Sequence, residues 1–193
     1  MATTTDDVLI GAPDRSTTEG VVGYAYTCDA LASDLPATTS AALPTSAEDL
    51  GFVSEDGVSI ETDRGVEVIR DWNLDDVRQL LTEHSAILTF TIISWTVEGL
   101  RAYFGAENVD DSGDEITVRI NSRDIANRGW IFNMKDLDRK RRIVIPNGAI
   151  ESQGELTFMK SEQTPLEISV RALVDGSGEK IYIHTAKAAS VGG

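Results

Sequence analysis

Hydrophobic and polar residues alternate with a period of two along most of the chain. Val58, Ile60 and Thr62 interleave with Ser59, Glu61 and Asp63, the pattern of a half-buried strand, and Ser54-Glu55-Asp56-Gly57 ahead of it reads as a turn. Residues 64–76 break the pattern and predict a short edge strand or loop holding Val66, Val68 and Trp72. Residues 77–94 form the longest predicted strand. Ala86, Leu88, Phe90 and Ile92 face one way and Ile87, Thr89, Thr91 and Ile93 the other, so both faces are covered near its end. Residues 95–104 switch period: Val97, Leu100 and Phe104 share a helical face, Ser94 is a candidate cap, and Gly105 a stop. Gly99 inside this helix predicts close packing, since glycine costs about 1 kcal/mol there against alanine.

Period-two runs then recur at Ile116-Val118-Ile120, Trp130-Phe132-Met134, Ile143-Ile145, Leu156-Phe158, Leu166 to Val174 and Ile181-Ile183, parted by turn signals such as Asp175-Gly176-Ser177-Gly178. Many short strands with one helix predict a mainly β, antiparallel sandwich or barrel with one flanking α-helix. No internal repeat is visible. Residues 1–49 are rich in Thr, Ser, Ala, Asp and Pro, with strand-like texture only at Val8 to Ile10 and Val21 to Tyr26. They predict a loop-rich arm, residues 50–185 the β domain, and residues 186–193 a flexible tail.

Charge changes the picture. The net charge is −15, which argues against an exposed nucleic-acid clamp. It is unevenly placed: up to residue 115 there are 23 acidic and 5 basic residues, and beyond it 9 acidic and 12 basic. Either the front half is simply solvated, or an acidic surface of one copy meets a basic surface of the next. A single cysteine, Cys28, permits no internal disulfide, and no signal peptide or membrane-length apolar run is present, so a cytosolic, unanchored protein is expected.

No catalytic constellation emerges, and neither an enzyme nor a bound cofactor is expected. His84 and His184 lie in predicted strands without a partner motif, and Cys28 lacks a nucleophile signature. Asp110 to Glu115 offers clustered oxygens suited to calcium but lacks EF-hand spacing; a solvated turn is the plainer reading, and no metal site is expected. Arg139-Lys140-Arg141-Arg142, beside Asp136 and Asp138 in a predicted hairpin, reads as a solvated turn, a nucleic-acid patch, or a docking patch for an acidic loop of a neighbouring copy. Trp72, set among charges, is either a loop staple or an interface anchor.

Several segments, in order and spacing, resemble the major tail tube proteins of long, flexible-tailed bacteriophages. They are Leu50 to Val58 (Leu-Gly-Phe-Val-Ser-Glu-Asp-Gly-Val), a polar stretch holding Trp72, the long strand Val77 to Ile93, the helix Val97 to Gly105 followed by Asn108-Val109, the strand Trp130 to Met134, the Ile-Pro-Asn-Gly strand Ile143 to Gly148, and Gly154 to Phe158. The likeness covers about residues 50–185 and is weaker over 1–49.

The resemblance implies a structural virion protein of the tail, assembled in the host cytoplasm. Six copies would close into a ring, and rings would stack on a tape-measure protein into a tube joined to tail tip and tail terminator proteins. DNA would pass through without specific binding on its way to ejection. It implies that Glu61, Asp63 and Glu83 face the lumen, since a base-poor wall does not hold phosphates. Arg64, Arg70, Asp71 and Trp72 fall in the loop that stacks one ring on the next, and Arg139, Lys140, Arg141 and Arg142 are candidates for charged contacts between subunits. The alternatives are a secretion-system tube protein or a monomeric β-sandwich binding or decoration module, adhesin-like. Such a module would want exposed aromatics on one face.

Overall fold

The computed structural model describes residues 10–14, 23–137, 139–160 and 163–186. The strand expected from Val8, the start of the stretch from Val21, Asp138, and the tail from residue 187 on lie outside the described residues. The elements run β1 (Ala25–Asp29), β2 (Glu48–Asp49), β3 (Val53–Arg70), β4 (Asp76–Ile92), α1 (Val97–Phe104), a 3-10 turn (Ala106–Asn108), β5 (Val109–Asp110), β6 (Thr117–Val118), β7 (Arg128–Asp136), β8 (Arg139–Gln153), β9 (Leu166–Ala172) and β10 (Tyr182–Thr185). The fold is mainly β and antiparallel with one flanking α-helix, as the alternation implied. One sheet runs in the order β2-β1-β7-β8-β9-β4-β3, with β10 added to β8.

The sheet closes on itself. Phe90 on β4 meets Trp130 and Phe132 on β7 edge to face, with ring centroids 5.5 and 4.9 Å apart. Three strand steps separate β4 from β7, roughly 14 Å in a flat sheet. The long strand β8 serves both layers: it pairs with β7 from Arg139 to Gly148 and with β9 from Gly148 to Gln153, the latter pairing with an irregularity between Ile150 and Ser152. Leu88, Phe90 and Ile92 of β4, Trp130 and Phe132 of β7, Ile145 of β8 and Leu166, Ile168 and Val170 of β9 fill the space between, all at 2% exposure or less. Leu100 and Tyr103 of α1 join them.

Helix α1 starts two residues later than expected. Thr96 is its cap, accepting from the Gly99 amide at 3.1 Å, because the Ser94 hydroxyl is taken by the Phe52 amide at 2.7 Å. Gly99 is packed as predicted: a Cβ there would sit 3.3 Å from the Leu50 carbonyl.

Three strand expectations differ. The turn read at Ser54 to Gly57 is an irregularity inside β3, between the pairs Val53–Ile92 and Val58–Phe90, with Gly57 at φ +72°. Residues 64–70 continue β3 instead of breaking it, because each finds a partner on β4. Leu156 and Phe158 form no strand; Phe158 is 73% exposed.

The described part of residues 1–49 is seated on the body. β1 lies inside the sheet between β2 and β7, with Ala25, Thr27 and Cys28 at 0% exposure. The segment that follows covers the outer face of β1, β7 and β8, where Tyr26, Cys28, Ile131 and Val144 pack with Leu35 and Leu43. Arg142 pins this cover. Its Nη1 donates to the carbonyls of Thr38 (3.1 Å) and Ala41 (2.8 Å), and its Nε to Asn133 Oδ1. Arg142→Met should cost about 2–4 kcal/mol in chemical denaturation, since it strands two carbonyls and an amide oxygen. A loss below 0.5 kcal/mol would contradict that role. Burial pushes the Cys28 thiol up to about 11. The folded protein should therefore react with iodoacetamide at pH 8 at least roughly 100-fold more slowly than free cysteine, and urea should abolish the protection.

Candidate assembly surfaces

The β3–β4 hairpin is the most unusual part of the molecule. β4 pairs with β9 only from Ile87 to Ile92. Above the Ile87–Arg171 pair, no third strand flanks β4 among the described residues, so residues 76–86 run on with β3 as a two-stranded overhang. At about 3.3 Å per residue its length is roughly 35 Å. Such a ladder is marginal in water by itself. At its tip the Asp71 carboxylate accepts from the amides of Asn73 and Asp75, both at 2.9 Å, and Arg70 bridges to Asp76 at 2.8 Å. Arg70 and Asp71 thus hold the turn, and Trp72 projects from it at 99% exposure. Of the two readings left open for Trp72, the loop staple is excluded.

The register assigns faces. β3 alternates without interruption from Val58 to Arg70. Val58 and Ile60 pack on the core, so Thr62, Arg64, Val66, Val68 and Arg70 continue the core side. Ser59, Glu61, Asp63, Gly65, Glu67 and Ile69 lie on the opposite side. Glu61 pairs with Ile87, Asp63 with Ser85 and Gly65 with Glu83, so Glu61, Asp63 and Glu83 share that opposite face. Glu167 and Arg171 of β9 join it through their pairing with Thr91 and Ile87. Arg171 is hydrogen-bonded to Glu151, which holds its pKa above the ordinary arginine value. The face is acidic on balance: Arg171 is paired with Glu151, and a second arginine, Arg78, lies on it nearer the tip, opposite Ile69.

The four basic residues from 139 to 142 lie in β8, just after the β7–β8 turn, and do not act alike. Arg142 is 6% exposed and its charge is used inside the subunit. Arg141 Nε donates to Thr185 Oγ1 and Lys140 lies 3.9 Å from Asp14. Arg139, Lys140 and Arg141 stay half-buried at the end of the hairpin.

In the acidic run, Asp110 accepts from Ser112 Oγ at 2.7 Å and from Arg119 at 2.9 Å, which lower its pKa to about 2. Asp111 takes Arg101 at 2.9 Å. No group of three or more His, Cys, Asp or Glu side chains is gathered for a metal among the described residues. The three tryptophans occupy different places: Trp72 at the hairpin tip, Trp130 in the core at 1% exposure, and Trp95 at the hairpin base at 42%. The sequence reading missed the aromatic set around Trp95. Its ring lies 5.7 Å from Phe158, and the backbone of the exposed Phe52 is tied nearby, its amide to the Ser94 hydroxyl and its carbonyl to the Ile93 amide. Period-two counting placed Phe158 in a strand, which hid it.

Comparison with solved structures finds the cap of the anti-feeding prophage, at 11% identity and TM-score 0.43, covering 96% of this chain and 100% of that one. It also finds the sheath–tube complex of an extracellular contractile injection system, PVC, in its extended state, at 10% identity and TM-score 0.44, with the same coverage. Comparison with curated protein sequences finds no match. The family model described as phage tail tube protein matches residues 11–190. That match spans the sheet, the overhanging hairpin and its acidic face together, and the chain belongs to the phage tail tube protein family.

Proposed function

We propose that this tail tube subunit is of the kind found in long, flexible-tailed phages. Six copies close into a ring, rings stack on a tape-measure protein between tail tip and tail terminator, and the tube conducts DNA during ejection after assembly in the host cytoplasm. The observation that carries this reading is the overhang: a two-stranded ladder largely exposed on both faces beyond the buried Ser85 and Ala86, acidic on the side away from the core. A strand edge left open in one copy is paired or covered in a closed assembly. An acidic wall lets phosphates slide past, because phosphate binding comes from Lys and Arg and the counterions they release. Glu61, Asp63 and Glu83 would line the lumen. Arg64, Arg70, Asp71 and Trp72 would meet the next ring, and Arg139, Lys140 and Arg141 an acidic surface of a neighbour. Residues 1–49, whose strand β1 lies inside the sheet, would also serve assembly beside the rest of the domain, 50–185.

The lumen assignment is tested by labelling a Glu61→Cys variant. A small maleimide should reach residue 61 in free subunits and in tubes, whereas a bulky polymer-maleimide should label free subunits only. Equal labelling of tubes by the bulky reagent would place Glu61 on the outside.

A further inference from the structure

The pairing of β3 with β4 shifts by one residue between Gly65–Glu83 and Val66–Leu81, leaving Thr82 unpaired. This bulge exchanges the faces of β4 above it. Leu81 would otherwise point to the acidic side; the bulge sets it opposite Val66, on the side that continues the core. Val66, Val68 and Leu81, exposed at 49, 39 and 51%, thus form an aliphatic stripe on the core side of the overhang, with nothing packed on it among the described residues. Arg64 and Arg70 flank the stripe, while Asp63, Glu67 and Glu83 lie across the ladder, together with Arg78.

The tip adds a second sign. Leu74 adopts φ +70° and is 76% exposed. Asparagine or glycine takes that conformation more easily, and a polar side chain would suit that exposure. Leu31 and Leu137 share that combination in other turns, so what Leu74 adds at the tip is a second exposed apolar side chain close to Trp72.

At the other end of the same ladder lies the aromatic set Phe52, Trp95 and Phe158. Phe52 precedes the first residue of β3, and the turn holding Trp72 and Leu74 follows the last. The exposed acids Glu55 and Asp56 adjoin the set, with Lys160 beyond Met159. An extended ladder cannot bring its own two ends together, so the partner for either end is another molecule.

We propose that the Val66–Val68–Leu81 stripe and the tip residues Trp72 and Leu74 of one copy dock on the Phe52–Trp95–Phe158 set of a second copy of this chain. Arg64 would then approach Glu55 and Asp56, while Arg70 stays with Asp76 in the turn. The contact is head to tail, so it propagates instead of closing a pair. The inference rests on the tube reading and names the two surfaces that meet between successive copies.

The test is a pair of cysteines, Val68→Cys with Phe158→Cys, oxidised in tubes assembled from the full chain. Ile69→Cys with Phe158→Cys, on the opposite face, is the control. The first pair should give a ladder of linked oligomers on a non-reducing gel, about ten-fold more than the control, because a disulfide needs Cα atoms within roughly 7 Å. Normal tubes without a ladder, or with equal ladders from both pairs, overturn the docking inference and leave the tube reading intact. Failure of the unmodified chain to form tubes overturns the tube reading itself and the inference with it. As an independent check, Val68→Asp and Phe158→Asp should each leave the thermal melt unchanged and abolish tubes; a variant that melts normally and still assembles normally overturns the docking.

Discussion

Trp130→Ala lowers the stability of the free subunit by about 3–5 kcal/mol, a fall in melting temperature of roughly 6–20 °C for a chain of this size. The indole is 1% exposed and meets Phe90 of the facing layer at 5.5 Å. Its removal opens a cavity and deletes one of the two ring contacts between β4 and β7, leaving Phe90 against Phe132. The site is also hard to collapse, because the surrounding atoms are already close. A Cβ on Gly148 would lie 2.6 Å from Trp130 Cδ1 and 2.5 Å from Val170 Cγ1. The glycine of the Ile-Pro-Asn-Gly segment is thus the space the indole occupies, and Gly148→Ala should cost about 1–3 kcal/mol by overpacking. Circular dichroism melts measure both. An unchanged melt for Trp130→Ala would remove it from the core.

Trp72→Ala has the opposite signature. A side chain at 99% exposure supports nothing in the free subunit, so its loss should change monomer stability by no more than about 0.5 kcal/mol. As the anchor of a contact between copies, its loss should weaken each contact by about 2 kcal/mol, roughly 30-fold in affinity. Each subunit in a tube repeats that contact, so long tubes should be lost while the melt stays in place. Tubes of normal length from Trp72→Ala would refute the anchor role.

What the sequence made legible followed from period. Alternation in Leu88-Phe90-Ile92 and Trp130-Phe132 gave the core strands, and helical spacing gave Leu100 and Phe104. The overhang was misread because its alternation has no core to serve. Val66 and Val68 alternate correctly, but Arg64, Arg70 and Asp71 around them look like a loop, and the pairing with β4 that makes them a strand is a tertiary fact. The bulge at Thr82 has no local signature, so the side on which Leu81 lies could not be read. The three candidate lumen acids did fall on one face, since Glu61 and Asp63 are two apart on one strand and Glu83 is cross-paired beside them. The basic run divided for a similar reason. Its four members look equal in sequence, yet β-alternation turns Arg142 inward to the carbonyls of Thr38 and Ala41, more than a hundred residues away. Residues 23–49 looked loop-rich because β1 is only five residues long and draws its stability from β7.

The central claim is that copies of this chain assemble into a tube. Negative-stain electron microscopy of the concentrated, purified protein, with sizing chromatography alongside, tests it most directly. The account predicts sixfold rings or hollow tubes, and a shift to large species as concentration rises. Compact single particles at every concentration, eluting at the size of one 20.9 kDa chain, would contradict it.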